Sequence, residues 1–144
     1  MKILQILLIA AAALTLLVVG IALYFEHVAN PRVVRELLDD PNGERAQKVM
    51  LLTLPSGLRI PVNYLREGDR VYAGADCSWW KELVGEGLPV TLVVRGETLS
   101  GRARAVLDDA AYTKDVFSKL RPSALPGFGT LVEVRLDSAG PELR

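Results

Sequence analysis

Gly57-Leu-Arg-Ile-Pro-Val-Asn-Tyr-Leu65, the turn Arg66-Glu-Gly-Asp69 and Arg70-Val-Tyr-Ala-Gly-Ala-Asp76 read as one β-hairpin. Leu58, Ile60, Val62 and Tyr64 alternate with Arg59, Pro61 and Asn63, the period of two that marks a half-buried strand. A tight turn then makes the second strand an antiparallel neighbour of the first. Pro61 has no N–H to give, so one side of its strand should be unpaired or bulged there. The second strand is rich in Ala and Gly, which lets a flat ligand approach the backbone. Trp79 and Trp80, the only two tryptophans, follow at once and offer aromatic walls.

Further strands read outward from this hairpin at Gln47–Leu54, Pro89–Arg95, Thr98–Leu107 and Thr130–Leu136. Ser78 can cap a short helix, Trp79–Val84, between the hairpin and the next strand. Asp108-Asp109 can cap a longer helix to about Leu120, with Tyr112, Val116 and Leu120 on one stripe. The strand Thr98–Leu107 sets Leu99, Gly101, Ala103 and Ala105 against Ser100, Arg102 and Arg104. Arg102 and Arg104 thus share a face that would suit an anion, although a solvated basic face is the plainer reading. Six short hairpin-linked strands predict a mainly β fold, a closed or half-closed antiparallel barrel over residues 47–137 with a tail at 138–144.

Ile3 to Phe25 is almost wholly apolar, broken only by Gln5, Thr15 and Gly20. As a helix it would be about 34 Å long, enough to cross a bilayer core of about 30 Å. A cleaved signal peptide has a shorter apolar region and a small-residue cleavage site. The bulky Tyr24-Phe25-Glu26-His27 end favours an uncleaved transmembrane anchor over residues 1–26 in a lipid bilayer. Lys2 on one side and Arg32 and Arg35 on the other leave its orientation nearly balanced. Asn30-Pro31 reads as the start of a separate amphipathic helix within a linker at 27–46.

The composition narrows the chemistry. The chain has 144 residues, 17 basic and 17 acidic side chains, one His and one Cys. A balanced charge gives no footprint for nucleic acid. His27, at the membrane boundary, gives the barrel no histidine base. One cysteine supports neither an intrachain disulfide nor a cysteine-based zinc site. A reaction would therefore have to be carried by a cofactor, with the protein supplying position and electrostatics.

The hairpin, then Ser78-Trp-Trp-Lys-Glu-Leu83, then Pro89-Val-Thr-Leu-Val-Val-Arg-Gly96, resembles the deazaflavin-dependent nitroreductase and quinone reductase family over about Val49–Leu136. That family has a six-stranded split β-barrel related to pyridoxamine-phosphate-oxidase-like flavin proteins. The resemblance implies a deazaflavin with its phosphate tail at Ser56 and Arg59 and with Asn63 on the second-strand segment. Its ring would lie against Ala73, Gly74, Ala75 and Trp79, with Trp80 and Tyr112 on the substrate side. It implies hydride transfer to a quinone or nitro-type acceptor, with the barrel in the cytoplasm. The sequence departs from the family at Thr53-Leu-Pro-Ser-Gly57, which lacks a basic residue. It departs again at Cys77-Ser78, where the family has His-Pro or Asn-Pro, and at Glu82, where it has Asn. Two alternatives stay open: a flavin mononucleotide (FMN) protein of the same fold, whose relatives usually form a homodimer, and a cofactor-free tethered binding or assembly module.

Overall fold

The computed structural model describes residues 2–125 and 127–138, so only Ser138 of the expected tail falls within it. The chain divides into two compact units, residues 1–35 and 36–144.

α1 (Lys2–Tyr24), in the first unit, continues through a π-helical turn at Phe25–Ala29 into α2 (Asn30–Asp39), whose residues from Glu36 on belong to the second unit. No side chain of α1 is buried, and the helix is long and apolar enough to cross a membrane. Asn30 does not begin a separate helix, as its sequence suggests. It has right-handed helical angles, and its N–H bonds to the Phe25 carbonyl. Pro31 explains the turn. Its ring would press on the carbonyl four residues back in a regular helix, and one extra residue per turn relieves that crowding.

In the second unit, six strands close on themselves: β1 (Val49–Thr53), β2 (Arg59–Glu67), β3 (Arg70–Ala75), β4 (Leu88–Val94), β5 (Glu97–Val106) and β6 (Thr130–Leu136). Their order is β1-β2-β3-β6-β5-β4, and every pairing is antiparallel. The hairpin forms as its alternation predicts, with Tyr64 opposite Ala73 and Glu67 opposite Arg70. Pro61 faces Leu51 on β1, while β3 pairs with β2 only from Tyr64 onward. The proline therefore sits where its missing N–H costs no bond to β3. A 3₁₀ turn, Ser78–Leu83, replaces the short helix expected at Trp79–Val84.

Alternate residues point inward and fill the barrel. Met50, Leu52, Val71, Ala73, Leu92 and Val132 are all 0% exposed within one apolar cluster. Leu83 joins that cluster from the 3₁₀ turn, and Trp79 and Trp80 pack half-buried against it. In a barrel of so few strands, side chains alone suffice to fill the interior.

One patch of the outer surface is also covered. α3 (Ala110–Leu120) is capped by Asp109, whose Oδ1 accepts from the Tyr112 N–H at 2.9 Å. It lays Val116, with Tyr112 and Phe117, over Tyr72, Val106 and Leu131 on β3, β5 and β6. Gly101 lets β5 and β6 approach, because a Cβ there would lie 2.7 Å from the Arg135 carbonyl oxygen. Replacing Gly101 with Ala should lower stability by ~1–3 kcal/mol through this overpacking, read as a drop in melting temperature in neutral detergent. An unchanged melting temperature would contradict this backbone approach.

Candidate functional site

The strands β3, β6 and β5 bring their outward-facing residues into register, and the result is a graded surface. Gly74, Leu131 and Val106 form one cross-strand row, with Leu131 opposite both of the others. Tyr72, Glu133 and Arg104 form the next row. Arg70, Arg135 and Arg102 form the third. α3 covers the first row and reaches the second; the arginine row lies beyond it.

Glu133 is the hub of the middle row and is only 6% exposed. A buried carboxylate needs hydrogen bonds and countercharge. The Tyr112 hydroxyl donates to its Oε2 at 2.5 Å. Tyr112 therefore has no proton left for Tyr72, whose hydroxyl, 2.9 Å away, donates to it instead. Arg104 Nε lies 3.4 Å from Oε1, and Arg70 Nη1 lies 3.6 Å from Oε2. Burial, and then the bond to Glu133, push the Tyr112 phenol above its ordinary value. Tyr112 thus keeps its proton at neutral pH and donates it to Glu133.

A cavity of about 630 Å³ opens beside this hub, lined by Arg102, Arg104, Arg135, Glu133 and the turn Gly85-Glu86-Gly87, among others. Gly85 and Gly87 have positive φ, 129° and 61°. Glycine adopts these angles without strain. Arg102 Nη1 donates to the Gly87 carbonyl at 2.9 Å, tying the turn to the sheet.

Of the residues singled out from the sequence, Tyr112, Arg102 and Arg104 lie at this hub and cavity, and the rest fall elsewhere. Ser56 donates through its hydroxyl to Glu82 Oε1 at 3.0 Å and through its N–H to Oε2 at 3.3 Å. An incoming phosphate at Ser56 would therefore meet a carboxylate. Arg59 and Asn63 are exposed on β2, opposite Thr53 and Val49. Ala73 is 0% and Ala75 2% exposed. A Cβ on Gly74 would stand 2.8 Å from Phe117 and Arg121 atoms. Arg121 is held there by bonds to the Gly74 carbonyl at 2.7 Å and to Asp76 Oδ1 at 2.6 Å. The strand expected to face a ring is thus covered by the protein's own side chains, and a planar cofactor does not fit on it as the chain stands. Trp80 and Tyr112, both expected on the substrate side, belong to different clusters, one inside the barrel and one outside. Glu133 and Arg121 carried little sequence signal beyond an acid within an apolar strand and a basic residue at a helix end.

No protein-family model and no curated protein matches the sequence. Among solved structures, the chain is similar to a protein from Listeria innocua provisionally assigned as a pyridoxamine 5'-phosphate oxidase. The TM-score is 0.46 at 17% identity, over 72% of this chain and 94% of that one.

The raised Tyr112 value carries a stability signature. Its contribution is complete below about pH 10, the ordinary phenol value, and is lost as pH rises through the higher folded-state value. The melting temperature should fall above pH ~10, and less steeply in Tyr112→Phe. Tyr64, also raised by burial, keeps part of the slope in the variant. Superimposable pH profiles would contradict the Tyr112–Glu133 bond.

Proposed function

We propose that this chain is a membrane-tethered barrel that binds a small polar ligand on its outer face and performs no chemistry with its own side chains. The observation that carries this reading is the position of the cavity. It lies on the outside of β5 and β6, against polar side chains, while the barrel interior is filled. α1 would serve as the tether, and tethering raises the effective concentration of a membrane-borne partner. The chemistry of the residues agrees with a binding role. His27 lies outside the barrel, and Tyr112 keeps its proton.

A second reading is an oxidoreductase in which a reduced deazaflavin passes hydride to a quinone or nitro-type acceptor, or an FMN protein of the same fold. It is favoured by the half-buried edges of Trp79 and Trp80 and by Ser56 lying beside the 3₁₀ turn that bears them. It requires Arg121 and Phe117 to vacate Gly74, or the ring to bind against the indole edges alone.

The two readings separate with the full chain in neutral detergent, supplied with reduced deazaflavin and menadione. The binding reading predicts no oxidation above a protein-free blank. It also predicts that FMN retention in equilibrium dialysis is unchanged by Trp79→Phe. Turnover above the blank, or retention abolished by Trp79→Phe, would overturn it in favour of the redox reading.

A further inference from the structure

We propose that Arg135 and Arg102, with Arg104 beside them, form a binding site for a phosphate group at one end of the row that they share with Arg70. Arg135 stands directly opposite Arg70 on one side and Arg102 on the other. Like charges placed directly opposite across strands destabilise a sheet. A run of three guanidinium groups is therefore a cost to the fold unless something neutralises it.

The protein supplies one central carboxylate, Glu133, already engaged by Tyr112, Arg104 and Arg70. Among the described residues Arg135 and Arg102 have no carboxylate partner. Glu86 and Asp108 also line the cavity, yet neither forms an ion pair with any of the four arginines. Arg102 is nonetheless held in place by the Gly87 carbonyl. Arg102 and Arg135 both line the same cavity of about 630 Å³, ample for a phosphate ester. Guanidinium forks match tetrahedral oxyanions in geometry and charge, which makes phosphate the fitting class. The group reaches the site either on a soluble ester or as a lipid headgroup.

This inference rests on the reading of the outer cavity as the ligand surface. The test is arginine modification by phenylglyoxal, read residue by residue by mass spectrometry, on the full chain. Inorganic phosphate added in neutral detergent should slow modification of Arg102 and Arg135 several-fold and saturably, leaving the exposed Arg59 unaffected. Slowing only in bilayer discs containing phosphatidylglycerol, against discs of phosphatidylcholine, would assign the site to a lipid headgroup. Slowing in neither arm overturns the proposal. If deazaflavin oxidation in that case stays at the protein-free blank, the cavity reading survives and only the phosphate assignment falls.

A second variant separates a binding role from a structural one. Arg135→Gln should melt at a higher temperature than the parent in phosphate-free buffer, because the repulsion is relieved. It should also lose the rise in melting temperature that phosphate gives the parent. A variant that melts lower and keeps that rise would show Arg135 to be structural and would overturn the assignment.

Discussion

The pairing of β1 with β4 is the constraint on which the rest depends. It consists of three residue pairs: Leu51 with Val93, Leu52 with Leu92, and Thr53 with Thr91. Without it the sheet would keep two open edges, each a row of unpaired backbone groups. With it the sheet becomes a barrel, and Leu52 and Leu92 meet inside at 0% exposure. Closure in so small a barrel leaves an interior filled by side chains. The redox reading needs room beside the indoles, and the closed barrel offers only their half-buried edges.

The outer faces of the strands are not alike. Across β3, β6 and β5 the character changes row by row, from apolar under α3, through the tyrosine–glutamate hub, to arginine. The hub joins the two extremes. Tyr112 belongs to α3, packs edge-on against Tyr72 with ring centroids 6.2 Å apart, and fixes Glu133 by its hydroxyl. Glu133 in turn fixes Arg104 and Arg70. α3 thus positions Arg104 and one end of the arginine row, Arg70, while Arg135 and Arg102 stay exposed. A surface that spends stability on opposed like charges is a pattern associated with function, since substitutions that relieve such strain usually stabilise a fold.

Much of the fold was legible because its signals are local. The alternation from Leu58 to Tyr64, the glycine turn before Arg70 and the two faces of Thr98–Leu107 each depend on near neighbours, and each appears in the structure. The Asp109 cap is a contact over three residues and was equally readable. The break in helix geometry before Pro31 was not, because a proline signals a helix start and a π turn equally well. The site was legible only in part. Arg102 and Arg104 are two residues apart and declare a shared face. That Arg70 and Arg135 join them depends on two strand registers linking distant segments, and no local pattern encodes a register. Arg121 is hidden for the same reason. It lies 47 residues from Gly74, whose carbonyl it binds. An Ala-Gly-Ala strand reads as an open platform until the chain that covers it is known.

Native-state hydrogen exchange at the β1–β4 seam tests the account most directly. If the barrel is closed as described, the hydrogen-bonded amides of Leu51–Thr53 and Thr91–Val93 exchange only through global unfolding, with the same protection as the centre of β3 and β6. Fast exchange at the seam, with protection retained in β2, β3, β5 and β6, would show an open sheet with an accessible interior. The outer-face account of function would then be contradicted.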